Sequence, residues 1–186
     1  MSMKLARRAL CLLVVSLLVA AAPARQSEAA SAAEINGDVD ATLNRFYRNV
    51  AGSQDLANRA AGVLVFPSIV KAGIGIGGEY GEGALRIKGK TADYYNSVSA
   101  SVGFQLGVQA RSVIIMFMTD DALASFRRRD GWKVGVDGSV ALITLGAGGA
   151  LDSNQIGKPV IGFILDEKGL MYNLTLEGSK ISRIRR

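Results

Sequence analysis

The sequence contains no histidine, one cysteine and three prolines among its 186 residues. Without histidine, the protein cannot build a Ser-His-Asp triad, a histidine-ligated zinc site or a histidine-ligated haem. Its cysteine, Cys11, lies in an apolar N-terminal run, so the rest of the chain has no thiol for a disulfide, for redox chemistry or for a thiolate metal site. These absences exclude most common hydrolases, and the sequence predicts neither a metal nor a cofactor.

An apolar run long enough to span a membrane is also missing. The run LCLLVVSLLVAAA has 13 residues, fewer than the roughly 20 that a bilayer span needs. Three basic residues precede it and an A-x-A motif follows at 22–24, which is typical of a secretory signal peptide. A second A-x-A motif at 30–32 leaves the cleavage point open. The sequence therefore predicts a signal peptide over residues 1–24 and an exported, periplasmic protein, either associated with the envelope membrane or secreted.

Positive charge is in excess, but the excess is small in the predicted mature chain. The formal net charge of +6 falls to +3 once residues 1–24 are removed, because that segment holds three basic residues and no acidic one. No stripe of interleaved basic and aromatic residues accompanies this charge, as a nucleic-acid surface would require. Nucleic acid is therefore not an expected partner.

Two helices are predicted at the start of a single domain that spans residues 38–186. Residues 25–37 are small and polar and are predicted to form a flexible lead-in. Apolar residues then recur at helical spacing at Val39, Leu43, Phe46 and Val50. Ser53 is placed to cap a second, short helix that leads into the apolar run VLVF.

Strand patterns dominate the rest of the chain. Every even position from Val98 to Ala110 is apolar, which predicts one long half-buried strand, with Gly103 and Gly107 as the candidate positions for a bend. The run SVIIMFM at 112–118 is apolar at both parities, as in a strand covered on both faces.

Thr119 is placed to cap a helix that begins with acidic and ends with basic residues. Near the C-terminus, VIGFIL and LMYNLTLEG predict a hairpin with one apolar face formed by Leu170, Tyr172, Leu174 and Leu176.

The connections between the predicted strands are short. Parallel pairing needs crossovers of about a dozen residues or more, usually helical, and few predicted helices are available for that role. The sequence therefore predicts an α+β fold, with a mainly antiparallel β sandwich or partly closed barrel and a few flanking helices, preceded by the signal peptide.

A glycine-rich stretch, KAGIGIGGEYGEG at 71–83, raises the question of a nucleotide site. Its segment 73–78 fits the dinucleotide fingerprint G-x-G-x-x-G, which requires a helix after the third glycine. Gly81 and Gly83 disfavour that helix, and the residues at 85–88, LRIK, alternate as in a strand. The glycines are therefore predicted to lie in a strand or hairpin, where glycine marks a bend or the close approach of another surface.

Other motifs offer no convincing catalytic site. Ser68 and Lys71 fit S-x-x-K, but the S-D-N and K-T-G elements of penicillin-recognising enzymes are missing. Glu79 and Glu82 are three residues apart and are a conceivable acid-base pair, although paired carboxylates more often lie on a solvated ribbon. The protein is therefore not expected to be an enzyme, and a deep pocket in which Glu79 and Glu82 converge would reverse that expectation.

Several motifs in order resemble the SYLF domain, the actin-regulator domain of Las17-binding protein. They are GVLVFPSIVKAGIGIGGEYGEG, GFQLGVQ, GWKVGVDGSVA and GLMYNLTLEGSKI, and the resemblance extends over about residues 38–184. It implies a non-enzymatic lipid-binding module, since eukaryotic members bind phosphoinositides and some bind actin. The export signal and the weakly basic N-terminus point instead to a bacterial envelope member, for which actin and phosphoinositides are not expected partners.

The first functional hypothesis is a module that binds anionic phospholipid headgroups or a membrane surface in the cell envelope. Lys71 matches the family's lysine in the motif K-A-G, and three arginines, Arg45, Arg48 and Arg59, are candidates to face phosphate with it. Lys180 and Arg183 belong to a second basic patch near the C-terminus. The alternative interpretation is that Lys71 only ends a strand and that the arginines only solubilise a helix.

A second hypothesis, from another class, is a structural or protein-interaction component of the envelope. An exposed glycine-rich sheet edge would then take a strand from a partner protein.

Overall fold

The computed structural model describes residues 30–103, 109–143, 156–166, 169–170 and 176–186. The helices are α1 (Ala32–Asn49), α2 (Ser53–Arg59) and α3 (Asp120–Arg127). The strands are β1 (Gly62–Ile87), β2 (Lys90–Gly103), β3 (Gln109–Phe117), β4 (Trp132–Lys133), β5 (Ala141–Leu142), β6 (Val160–Asp166), β7 (Gly169–Leu170) and β8 (Lys180–Ile184). The predicted signal peptide lies outside the described residues.

The described strands form one sheet in the order β4-β8-β2-β1-β3-β6-β5, with β7 beside β6. All of the neighbouring strands pair antiparallel except β5 and β6, which are parallel. The sheet curls into a half-barrel, which confirms the α+β class and the mainly antiparallel pairing. Of the two predicted arrangements, a partly closed barrel is the one that a single curled sheet forms.

Apolar side chains cover both faces of the sheet. The outer face packs against α1 and α2, where Phe46 of α1 lies beside Phe163 with ring centroids 4.7 Å apart. The inner face packs against α3, where Phe126 contacts Phe117 and Trp132. Strand β3 contributes to both cores, because its odd residues from 113 to 117 lie in the inner core and Ile114 and Met116 lie in the outer one. The prediction of a strand covered on both faces is confirmed.

Helix α1 begins earlier than the sequence predicted. The lead-in was expected to run to residue 37, but Ala32 already lies in the helix. The Ser31 hydroxyl caps the helix by accepting a hydrogen bond from the Glu34 N–H at 3.2 Å. Ser31 and Glu34 fit the capping-box pattern S-x-x-E, a signal that the sequence already contains. The prediction of a flexible lead-in is therefore wrong over residues 32–37.

The predicted strand from Val98 to Ala110 is described at its two ends, where β2 ends at Gly103 and β3 begins at Gln109, and residues 104–108 lie outside the described residues. The prediction that its apolar side is buried is wrong at the described positions, since Val98 is 46% exposed and Ala100 and Ala110 are exposed. Ser97, on the opposite parity, is 5% exposed. The alternation correctly predicted extended backbone, but helix α1 covers the outer face over other rows of the sheet.

Strand β1 folds back on itself at the glycine-rich stretch. Its first part pairs with β3 up to Lys71, and its second part pairs with β2 from Gly75 onward. Lys71 and Glu79 would lie about 26 Å apart in a straight strand, yet the Lys71 ammonium lies 3.8 Å from the Glu79 carboxylate. The stretch is therefore a sharp corner of the half-barrel.

The glycines of the second part let the two parts of β1 cross. A Cβ atom at Gly81 would lie 2.5 Å from the Ser68 carbonyl oxygen, and one at Gly83 would overlap the carbonyl group of Val65. The residues therefore lie in a strand that another backbone approaches closely, as the sequence predicted. No helix follows Gly78, because residues 79–87 continue β1.

The strand pairing of the predicted C-terminal hairpin is confirmed for β6 and β7. Leu170 pairs with Leu165 across β6 and β7. Leu176 is buried in the inner core. Tyr172 and Leu174 lie outside the described residues.

Candidate functional site

Lys71 belongs to a cluster of charged side chains on the inner face, at the corner of β1. The Glu79 carboxylate receives a hydrogen bond from Arg111 Nη2 at 2.6 Å and lies 3.8 Å from the Lys71 ammonium. The side chains of Glu79 and Arg111 are only 9% and 14% exposed. Two cations thus enclose one carboxylate, and the Lys71 ammonium lies beside a negative charge that it shares with Arg111.

Arg45 lies on the other side of the sheet from Lys71. Its Nη2 donates to the Ser112 hydroxyl at 2.7 Å, and that hydroxyl donates to the Pro67 carbonyl at 2.6 Å. Ser112 follows Arg111 in β3, so the two side chains project from opposite faces. The predicted phosphate site, with Arg45 beside Lys71, is therefore not assembled.

The remaining predicted arginines also lie apart. Arg48 and Arg59 are exposed in the last turns of α1 and α2, and within the described residues neither has an ion-pair partner. Arg183 projects from β8 on the inner face, over the ring of Tyr95 at 5.9 Å and near Asp93 at 3.6 Å. Its guanidinium is therefore held by contacts within the protein.

Lys180 is different, because it belongs to an exposed row of side chains on the outer face. Strand pairing aligns Tyr80 with Val98, Val98 with Lys180, and Lys180 with Lys133. Directly paired residues of antiparallel strands project from the same face. We call these four residues the outer row, and they run across β1, β2, β8 and β4.

The outer row combines apolar surface with positive charge. Tyr80 is 48% exposed and Val98 is 46% exposed, and both lysines are exposed. In the part of the chain that the structure describes, neither lysine has an ion-pair partner. Val136, in the turn that follows Lys133, is 77% exposed. Sequence reasoning found Lys180 but missed the other three residues, because only the strand register brings them together.

Glu82 lies on the same face and connects distant parts of the chain. It accepts hydrogen bonds from the Tyr80 hydroxyl at 2.5 Å and from Arg186 Nε at 3.2 Å. Glu82, Tyr80 and Arg186 line a cleft of about 480 Å³ at the N-terminal end of α1. Glu79 and Glu82 therefore do not converge, since Glu79 projects from the inner face. The carboxylate pair considered from the sequence does not exist as a site.

The Glu82 carboxylate is expected to make stability depend on pH. Burial raises the pKa of Glu82, but hydrogen bonds from Arg186 and Tyr80 and the charge of Arg186 outweigh it, so the pKa lies below its ordinary value of 4.5. A carboxyl whose pKa is lower in the folded state contributes stability above its unfolded pKa and loses it as the pH falls through the folded value. We expect Glu82→Gln to cost about 1 kcal/mol at pH 7.

The measurement is urea denaturation of both proteins from pH 7 to pH 3. The difference in the free energy of unfolding should shrink as the pH falls below 4.5. Asp55→Asn is the control, because Asp55 is exposed in α2. A difference that stays constant over this range would contradict the assignment.

Comparison with known proteins identifies a family over part of the chain. Among the described residues, no helix is long and apolar enough to cross a membrane. No curated protein sequence matches the chain. Residues 98–185 match the Ysc84 family, described as "Las17-binding protein actin regulator". The matched region contains β3 to β8 and the end of β2, with Val98, Lys133 and Lys180 of the outer row, whereas the K-A-G motif at Lys71 lies before it. Residues 98–185 are thus similar to the SYLF domain family, and this match confirms the resemblance found in the sequence over that part of the chain.

Proposed function

We propose that the protein is a non-enzymatic module of the bacterial cell envelope that binds anionic phospholipid headgroups at a membrane surface. The observation that carries the proposal is the outer row, in which two exposed apolar side chains lie in register with two exposed lysines. Similarity to the SYLF family over residues 98–185 supports a lipid-binding role. The predicted export signal supports the envelope as the compartment.

The chemistry of the outer row fits the boundary between lipid headgroups and acyl chains. Tyrosine has an apolar ring and a polar hydroxyl, and it is enriched at membrane interfaces. Lysine side chains lie with their alkyl stems on apolar surface and extend the ammonium group into water. Each lysine near an anionic surface contributes about 1 kcal/mol. Val136 lies next to the outer row and adds an exposed apolar side chain that can enter the boundary between headgroups and acyl chains.

The same chemistry explains why the row is a better candidate than the cluster at Lys71. The Lys71 ammonium lies beside a buried carboxylate, so a phosphate would have to compete with Glu79. Lys133 and Lys180 face solvent with no such competitor among the described residues. Reversal of charge at Lys71 would also place a second carboxylate next to Glu79. Lys71→Glu is therefore expected to disturb the fold, and it is a poor variant for testing lipid binding.

Liposome flotation tests the proposal. The wild-type protein is expected to float with vesicles of phosphatidylcholine and phosphatidylglycerol, and to float much less with phosphatidylcholine alone or at high salt, which screens surface charge. The double variant Lys133→Glu/Lys180→Glu should bind the anionic vesicles at least about 30-fold more weakly, since two contributions of about 1 kcal/mol are lost. Tyr80→Ser should weaken binding without removing its salt dependence.

The control is the double variant Arg48→Glu/Arg59→Glu, which makes the same change in net charge at exposed positions on the helices. It should bind nearly as well as the wild-type protein. If this control loses binding while the lysine variant keeps it, the helix surface binds the membrane and the outer row does not. Binding that ignores phosphatidylglycerol and salt would reject an anionic headgroup altogether.

A second candidate function is a protein-interaction component of the envelope. Residues 75–79 of β1 pair only with β2, and residues 99–103 of β2 pair only with β1, among the strands that the structure describes. A two-stranded ribbon with open edges can accept a strand from another protein. Recovery of one stoichiometric partner from envelope extract, together with no flotation, would favour this function over lipid binding.

A further inference from the structure

An apolar cleft of about 430 Å³ lies between α3, the turn after β4 and the beginning of β6. Residues that line it include Ala122, Trp132, Gly138, Val140, Lys158 and Pro159. Its volume falls in the range of roughly 300–1,000 Å³ that small-ligand pockets occupy. Neither the outer row nor the cluster at Lys71 contributes to this cleft.

The buried wall of the cleft is a fixed aromatic side chain. Trp132 is 3% exposed, and its ring packs edge-on against Phe126 with centroids 5.6 Å apart. Gly138 lies against the same ring, where a Cβ atom would come within 2.8 Å of Trp132 Cζ2. Any side chain at residue 138 would thus occupy space next to the indole. The glycine keeps the cleft open beside an apolar, closely packed surface.

Among the described residues that line the cleft, one cation is available. Asp137 is occupied, because its carboxylate receives hydrogen bonds from Arg129 Nη1 at 2.8 Å and from the Lys133 N–H at 2.7 Å. Lys158 is exposed, and no described residue forms an ion pair with it. An apolar cleft with a single cation at its rim complements a ligand that has one apolar chain and one anionic head.

We infer that this cleft binds a single-chain anionic amphiphile, a class that includes free fatty carboxylates and lysophospholipids. The alkyl chain lies along Trp132 and Val140, and the anionic head lies at Lys158. Trp132 and Lys133 are consecutive in β4 and project from opposite faces, so the cleft is separate from the outer row. The inference therefore does not depend on the proposed membrane binding.

Trp132 is the only tryptophan in the sequence, so its fluorescence reports on the cleft alone. The probe is a medium-chain fatty acid with bromine at the end of the chain, used below the concentration at which it forms micelles. Bromine quenches indole on contact, and we expect saturable quenching. The matching bromo-alcohol should bind about threefold to fivefold more weakly, because it lacks the charge that meets Lys158.

Three variants make the test specific. Lys158→Met should weaken the bromo-acid about threefold to fivefold and leave the bromo-alcohol unchanged, whereas Lys133→Met, a matched change on the other face of β4, should alter neither. Ala122→Leu should fill the cleft and abolish quenching, with folding checked by thermal unfolding. Unlabelled lysophosphatidylglycerol or laurate is added as competitor, and the stronger competitor identifies the source of the head group.

Three results would overturn the inference. They are absence of saturable quenching, undiminished quenching in a folded Ala122→Leu variant, and equal affinity for acid and alcohol together with no effect of Lys158→Met. The outcome is also distinguishable from that of liposome flotation. Lys133→Glu/Lys180→Glu should lose flotation and keep quenching, and Lys158→Met should keep flotation and lose affinity for the bromo-acid.

Discussion

Replacement of Gly83 by alanine is expected to destabilise the domain by about 3 kcal/mol, the upper part of the range for overpacked sites. The added Cβ would overlap the backbone carbonyl of Val65, and it would also come within 2.9 Å of Phe66 Cδ1. A carbonyl group in the middle of a strand cannot rotate away as a flexible side chain can. The two parts of β1 would therefore have to separate, which would open the corner of the half-barrel.

The measurement is urea denaturation of the wild-type protein and the variant, followed by circular dichroism. Gly37→Ala is the matched control, because Gly37 lies within α1 and, apart from its chain neighbours and the helix backbone, no described atom lies within 4 Å of a Cβ built there. Alanine favours helix over glycine by about 1 kcal/mol, so this control should be more stable than the wild-type protein. Equal stability of Gly83→Ala and the wild-type protein would show that the two parts of β1 do not cross as closely as described.

Truncation of Arg111 is expected to cost about 3 kcal/mol, the loss typical of breaking a buried ion pair. Arg111→Met removes the hydrogen bond of 2.6 Å to Glu79 and leaves that carboxylate, 9% exposed, with Lys71 at 3.8 Å as its cation. The main cost is that the buried carboxylate loses its hydrogen-bonded partner and keeps only the more distant ammonium of Lys71. The variant should therefore unfold at a lower urea concentration than the wild-type protein.

A double-mutant cycle separates the ion pair from the packing of the side chains. Arg111→Met/Glu79→Met replaces both partners by apolar groups, and it should recover a large part of the stability lost in Arg111→Met. Arg127→Met is the control, since its pair with Asp93 is more exposed, at 41% for the arginine side chain. It should cost less than about 1 kcal/mol. Additive losses in the cycle would mean that Arg111 and Glu79 are not coupled.

Local patterns in the sequence predicted the helices well, except that the N-cap of α2 is Gly52 and the predicted cap, Ser53, is the first residue of the helix. The stripe that includes Val39 and Phe46 is buried against the sheet, and Leu43 packs at its margin. Thr119 caps α3 as predicted, accepting a hydrogen bond from the Ala122 N–H at 3.2 Å. These features depend on residues three or four positions apart, and the sequence displays such neighbours directly. The missed start of α1 had a local signal too, because Ser31 and Glu34 form a capping-box pattern.

The parts that could not be predicted depend on contacts between distant residues. Glu79 pairs with Arg111 across 32 residues, and Arg45 bonds Ser112 across 67. The alternation at 98–110 predicted extended backbone with one apolar side, formed by the even-numbered residues. It could not show that α1 leaves Val98 uncovered. Likewise Tyr80 and Lys180 are 100 positions apart in the sequence and meet in one row only through the register of β1, β2 and β8.

The crossing within β1 also has a consequence for the order in which the domain folds. Val65 and Gly83 are 18 residues apart, whereas Tyr95 of β2 and its partner Arg183 of β8 are separated by 88. The conformational entropy lost when two residues come into contact grows with the length of chain between them. Contacts between residues close in sequence therefore form with a smaller loss of entropy. Turn residues Lys88 and Gly89, both with positive φ, close the adjacent hairpin over two residues. The corner of the half-barrel is thus expected to form first and β8 to dock last, which would make the outer row, with its Lys180, the latest surface to be completed.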